Sequence, residues 1–146
     1  MIAKDHGAIV VKSIGDSLLY YFPKTADYKP KHFVCPLKCA LSMVECADIL
    51  NAKMKEHGLP SVKYRVSMDF GTVMLANSVS TSKDDIFGST VNVCSKINRI
   101  AKPNGIVIGS DMYQIVKEFE EYTFIQDNGF SLGMAIEYPV YQVLEK

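Results

Sequence analysis

Tryptophan is absent from the chain, and so are long apolar runs and blocks of like charge; each absence excludes something. No stretch approaches the roughly twenty apolar residues of a membrane-spanning helix. Sixteen basic and sixteen acidic side chains leave a formal net charge of zero, which gives no electrostatic footprint for nucleic acid or an anionic membrane surface. The opening residues Met1-Ile2-Ala3-Lys4-Asp5-His6-Gly7 lack the apolar segment of a secretion signal, so a cytoplasmic protein is expected. Cysteine is scarce: Cys35, Cys39, Cys46 and Cys94 show neither paired CxxC spacing nor the density of a disulfide scaffold. They read as reduced thiols acting as small hydrophobes. His32, Cys35 and Cys39 match no standard zinc spacing. Internal repeats and low-complexity segments are missing too, and 146 residues are one domain of ordinary size.

What is present is a pattern of short strands and two amphipathic helices. Residues 1–6 read as the last turn of a helix stopped by Gly7. Two runs rich in β-branched and aromatic residues flank Gly15-Asp16-Ser17, predicting a hairpin from about Ala8 to Phe22 with a carboxylate at its tip. Pro23 to Val34 reads as a polar, mobile loop. From Pro36 to about His57, Leu37, Leu41, Val44, Ala47, Leu50 and Met54 recur at three- and four-residue steps, predicting a long helix with Pro36 at its first position and Gly58 at its stop. Val62 to Phe70 alternates, Gly71 interrupts, and Thr72 to Val79 resumes, which predicts a second pair of strands; Ser80 to Asp85 reads as a loop. A second helix is expected from about Ser89 to Lys102, with Val91, Cys94, Ile97 and Ala101 inward and Asn92, Lys96 and Arg99 on another face. A strand at Gly105 to Gly109, a helix capped by Ser110 and running to about Phe119, and strands at Tyr122 to Gln126 and Pro139 to Val143 complete the reading. This order describes an α+β sheet with helices packed on one side.

Three segments carry a family resemblance. Lys12-Ser13-Ile14-Gly15-Asp16, then Tyr64-Arg65-Val66-Ser67-Met68-Asp69-Phe70-Gly71, then Asp85-Ile86-Phe87-Gly88-Ser89-Thr90-Val91-Asn92-Val93-Cys94-Ser95-Lys96-Ile97, in this order, resemble the class III nucleotidyl cyclase catalytic domain from Gly7 to about Tyr113. The resemblance implies a ferredoxin-like cyclase-type sheet and adenylate cyclase chemistry: ATP to cyclic AMP and pyrophosphate with magnesium or manganese, at the interface of a head-to-tail dimer. Asp16 matches one of the family's two metal-binding aspartates. Lys12 and Asp85 match the pair that reads adenine, with Ile86 beside them in the nucleotide site. A lysine donating to a ring nitrogen and a carboxylate accepting from the exocyclic amine select adenine, whereas guanine presents a carbonyl that the carboxylate repels. Asn92 matches the ribose-orienting asparagine. Lys96 stands where the family carries an arginine that stabilises charge on the transferring phosphoryl group.

The departures from the family pattern are equally specific. The strand with the family's other metal aspartate, and the helices after it, would precede Met1, so the fold is expected to be N-terminally truncated. That strand lies mid-sheet in the family, and its absence leaves backbone donors and acceptors to be paired by rearrangement, by another chain, or by an upstream segment of a longer natural protein. A lysine at Lys96 is a point charge in place of a planar fork, and Arg99 is the nearest arginine. The family's C-terminal phosphate-binding lysine has no counterpart between Lys117 and Lys146, where Ser131-Leu132-Gly133-Met134 occupies the expected region. Weak or absent turnover is therefore expected, and the alternative reading is a catalytically degenerate nucleotide-binding, regulatory or dimerisation module. Asp69-Phe70-Gly71 has the letters of the kinase magnesium motif, but without a glycine-rich loop or catalytic-loop signature it reads as a strand bend.

Overall fold

The computed structural model describes residues 1–77, 84–127 and 138–146. In chain order the elements are α1 (Ile2–Asp5), β1 (Ile9–Ile14), β2 (Ser17–Tyr21), α2 (Val34–Glu56), β3 (Arg65–Met68), β4 (Met74–Asn77), β5 (Asp84–Phe87), α3 (Ser89–Ile97), β6 (Gly105–Gly109), α4 (Ser110–Val116), β7 (Tyr122–Asp127) and β8 (Val140–Glu145). The fold is α+β, as the sequence predicts. Its largest sheet has the order β3-β6-β8-β7, with β3 parallel to β6 and the other pairs antiparallel. The hairpins β1-β2 and β4-β5 are separate two-stranded sheets.

Alternation within β6 decides how the layers form. Ile106 and Ile108 turn to one face, where they meet Leu37 and Ala40 of α2, Met112 and Val116 of α4, and Val66 and Met68 of β3. Val107 turns the other way, onto Ile97 and Ala101 of α3 and its connection. Helices therefore cover both faces of the sheet, not one as expected, because every residue of this central strand is apolar or glycine and both faces need cover.

Several local expectations are corrected. The stretch between β2 and α2 is not a polar mobile loop: two tight helical turns, Pro23–Asp27 and Pro30–Phe33, cross it, and Phe33 is a core residue. Proline opens each turn, and Phe70 receives Tyr28 and Phe33 edge-on. β3 and β4 do not pair with each other; β3 takes β6, and β4 takes β5. β5 lies where the loop from Ser80 was expected to end; the part of that loop at residues 80–83 lies outside the described residues. α3 stops at Ile97, short of Lys102: beyond it the backbone N–H groups of Arg99, Ile100 and Ala101 reach back only three residues, in tighter turns, while the Asn98 amide donates to the Arg65 carbonyl and to Ser67 Oγ of β3. Ser110 is the first helical residue of α4, not its cap. His32 pairs with Asp27 at 2.8 Å, Cys39 is buried, and no group of three metal-ligating side chains gathers among the described residues. No helix among them is long and apolar enough to cross a membrane.

Candidate functional site

The β1-β2 hairpin places the first two candidate residues. Ile14 pairs with Ser17 across a two-residue turn in which Gly15 takes φ +59°, the arrangement of a type II′ turn with glycine first. Asp16 follows it and is exposed at the tip. One irregularity in β1 then matters. Val10 stands opposite Tyr20, but Lys12 stands opposite Leu19, so Val11 is an extra residue in the strand. Without that bulge Lys12 would share the face of Val10, which packs against α2. With it, Lys12 turns to the opposite face, a re-aiming that β-bulges produce.

On that face the ammonium meets Asp85 of β5. Lys12 Nζ is 3.0 Å from Asp85 Oδ1 and 3.1 Å from Oδ2, and the Ile86 backbone N–H donates to Oδ1 at 2.8 Å. The hydrogen bond from Lys12 and then that from Ile86 hold the Asp85 carboxyl below its ordinary range. Ile86 itself is buried, so it anchors β5 while Asp85 stays accessible. The β4-β5 pairing sets Asp85 opposite Ala76 and Ile86 opposite Leu75.

α3 begins two residues after β5, through Gly88 at φ +135°. The same start is fastened by Thr90, whose hydroxyl donates to the Thr72 carbonyl at 3.0 Å; a side chain at Gly71 would run into Thr90, which explains the glycine that interrupts the strand pattern there. Asn92 and Lys96 are exposed along α3. The structure thus joins Lys12 to Asp85 directly and carries Ile86, Asn92 and Lys96 on the continuous β5-α3 segment. Among the described residues no hydrogen bond ties Asp16, Asn92 or Lys96 to the pair. Asp16 alone is an incomplete donor set for magnesium, which is held by one or two carboxylates together with substrate phosphates. The region of Ser131-Leu132-Gly133-Met134 lies outside the described residues.

One important side chain was missed. Asp69, read from the sequence as part of a strand bend, is a buried carboxylate: its Oδ2 accepts the Tyr138 hydroxyl at 2.7 Å, and its Oδ1 accepts the backbone N–H of Phe70 at 2.8 Å and of Met112 at 3.3 Å. Tyr138 in turn accepts the Asp111 N–H at 3.0 Å. Two orphan donors in the first turn of α4 are satisfied this way, from β3 and from the approach to β8. Burial still pushes the Asp69 carboxyl above its ordinary value, against these hydrogen bonds. An aspartate just after an alternating strand is a weak signal, and Tyr138 is 69 residues away. An open groove of about 330 Å³ lined by Leu41, Val44, Ile106 and Val143 includes none of the candidate residues.

Comparison with known proteins places the chain in a family. Residues 1–141 match the family described as the adenylate and guanylate cyclase catalytic domain, and the chain belongs to that family. It is 26% identical over 136 residues to "Putative adenylate cyclase 3" of Rhizobium meliloti (strain 1021), a match covering 93% of this chain and 20% of that protein; the chain thus spans a fifth of this relative. Among solved structures, the adenylyl cyclase CyaB from P. aeruginosa is similar with a TM-score of 0.84 and 19% identity, over 99% of this chain and 76% of that one. The guanylate cyclase domain of RhGC from Catenaria anguillulae, solved in complex with GTP, is similar with a TM-score of 0.75 and 22% identity, over 99% and 76%. These likenesses establish the cyclase fold and leave the choice of nucleotide to the residues of the site.

Proposed function

We propose that this cyclase-family chain is of the adenylate type and holds ATP at the face where β1 meets β5. The observation that carries the reading is the Lys12–Asp85 pair, with its ammonium donor and carboxylate acceptor within 3.0 Å of each other and both partly exposed. An adenine edge offers a ring-nitrogen acceptor and an amine donor side by side, which complements this pair; guanine offers the reverse at the carboxylate. Ile86 fixes the carboxylate through its N–H, Asn92 orients the ribose, and Lys96 faces the phosphates. The site is shared between two chains of a dimer.

The reaction of this class closes the ribose 3′-oxygen onto the α-phosphorus and expels pyrophosphate. Magnesium or manganese supplies charge neutralisation on the phosphates when bound, and Asp16 is the residue here that would contribute to holding it. One carboxylate does not make that site, and Lys96 offers one point charge where a planar fork serves the phosphoryl group better. The chain by itself therefore binds ATP and turns it over weakly or not at all, which gives weight to a nucleotide-binding or regulatory role. The test is cyclic AMP formation by the purified chain with magnesium or manganese, with Asp16→Ala beside it. Little or no product is expected, with any residual activity lost in the variant; robust turnover, or turnover indifferent to Asp16, contradicts the assignment.

A further inference from the structure

Alternate side chains of β8 turn toward α4. Val143 joins Met112 and Val116 in the core there, with Tyr113, Tyr141 and Phe124 packed beside them. Tyr141 stands opposite Ile108 of β6 and Gln126 of β7, and Phe124 of β7 stands opposite Val143. Tyr113 reaches the same face from the first turn of α4, a turn that rests on Asp69 and Tyr138 through the N–H groups of Met112 and Asp111.

The rings of Tyr113 and Tyr141 meet face to face, with centroids 3.7 Å apart and planes 8° from parallel. Aromatic pairs ordinarily settle edge-on or offset, with centroids roughly 4.5–7 Å apart, because the electron-rich ring faces repel. Phe124 follows that preference, meeting the Tyr113 ring at 5.6 Å and 78°. The sandwich of two phenols is thus a placement that the packing of helix on sheet imposes. Both rings are half-buried, so each also reaches solvent. Among the described residues no other two tyrosines are in ring contact. Burial, and then Tyr113, raise the Tyr141 hydroxyl above its ordinary value, so it is a neutral phenol near neutral pH and releases a proton when it gives up an electron.

We propose that Tyr113 and Tyr141 are an oxidative cross-linking site, at which a diffusible one-electron oxidant couples the two rings into dityrosine and staples α4 to β8. Two equivalents of oxidant are consumed. Each takes one electron from one phenol while the hydroxyl proton passes to water, leaving two phenoxyl radicals. The unpaired electrons form one carbon–carbon bond between ring positions ortho to the oxygens. Each of those carbons then loses its hydrogen as a proton, and each phenolic oxygen takes one up. The protein loses two hydrogen atoms in all, and the two oxidants are each reduced by one electron. Contact between the ring faces makes the coupling step effectively unimolecular. The inference does not depend on the nucleotide reading.

The test is oxidation of the dilute full chain with tris(bipyridyl)ruthenium(III), which accepts one electron, read by dityrosine fluorescence, intact mass and peptide mapping. The expected product is a monomer lighter by two hydrogens in which the peptides of Tyr113 and Tyr141 are joined, in a yield unchanged by tenfold dilution. Tyr141→Phe keeps a stacked ring but removes the hydroxyl, and is expected to lower that yield tenfold or more. Tyr28→Phe, an exposed ring that contacts Phe70 instead, is expected to leave it unchanged. The proposal is overturned if Tyr113 and Tyr141 are not joined, if the urea-unfolded chain links them equally well, or if Tyr141→Phe gives as much dityrosine as the wild type. Links that form chiefly between chains and grow with protein concentration likewise overturn it.

Discussion

Lys12 and Asp85, 73 residues apart in sequence, face each other with the ammonium 3.0 and 3.1 Å from the two carboxylate oxygens. One inserted residue in β1 brings this about, and a second hairpin, β4-β5, supplies the partner. The Asp85 carboxyl is held below its ordinary range chiefly by the hydrogen bond from Lys12. Its charged form is therefore favoured in the fold, and the pairing is fully present above the unfolded-state value and lost as pH falls through the folded one. In Lys12→Ala, the NMR titration of Asp85 shifts upward toward the ordinary carboxylate value. A titration curve that does not move contradicts the pairing.

Asp69 behaves in the opposite sense. Its carboxyl is raised by burial, so the folded state binds the proton more tightly than the unfolded chain does. Its contribution to stability is fully present below the unfolded value and declines as pH rises through the folded one. Asp69→Asn is expected to flatten that part of the pH profile of the urea midpoint. A variant whose acid-range profile parallels the wild type places the proton elsewhere.

Gly109 is close against the same carboxylate. Its backbone, at φ −77° and ψ 167°, suits any residue, yet a side-chain carbon there would run into Asp69. Gly109→Ala is expected to cost about 1–3 kcal/mol through overpacking, seen as a lower urea midpoint at unchanged slope, and to cost less in an Asp69→Ser background. Equal costs in the two backgrounds contradict the close approach.

In the core, Leu37 is 1% exposed where α2 meets the sheet. Leu37→Ala is expected to destabilise the chain by about 2–5 kcal/mol, measured by chemical denaturation. A loss well under 1 kcal/mol would remove α2 from its place as the floor of the sheet.

Met74 and Phe87 stand opposite each other on β4-β5, on one face of the hairpin, and are 55% and 45% exposed. Adjacent large apolar side chains left in water mark an interaction surface. If the proposed dimer uses this surface, Phe87→Asp weakens self-association tenfold or more by analytical ultracentrifugation. Unchanged association moves the interface elsewhere.

The hairpin and the long helix were legible because each is local: alternation, helical spacing and a glycine turn specify them within a few residues; the cyclase segments were legible only through family resemblance. The pairing of β3 with β6 was not, since it joins strands some forty residues apart and no turn announces it. Asp85 was expected in a loop and lies on a strand, because a four-residue strand scarcely shows a period. The bulge at Val11 was invisible for a different reason: an extra residue in a strand shows only against its partner. Asp69 looked like a bend because its role is to cap a helix that begins forty residues later, with a tyrosine from further on still. The two tight turns after β2 were misread from their lysines, although Phe33 is what holds them down. Asp16, Asn92 and Lys96 were named through family resemblance, and their roles stand as proposals.

The most direct measurement is calorimetric titration of the 146-residue chain with ATP and with GTP, alongside Lys12→Ala. The account predicts that ATP binds at least tenfold more tightly than GTP and that the variant loses this preference. Equal binding of the two nucleotides, or a preference that survives in Lys12→Ala, would contradict adenine reading by the Lys12–Asp85 pair.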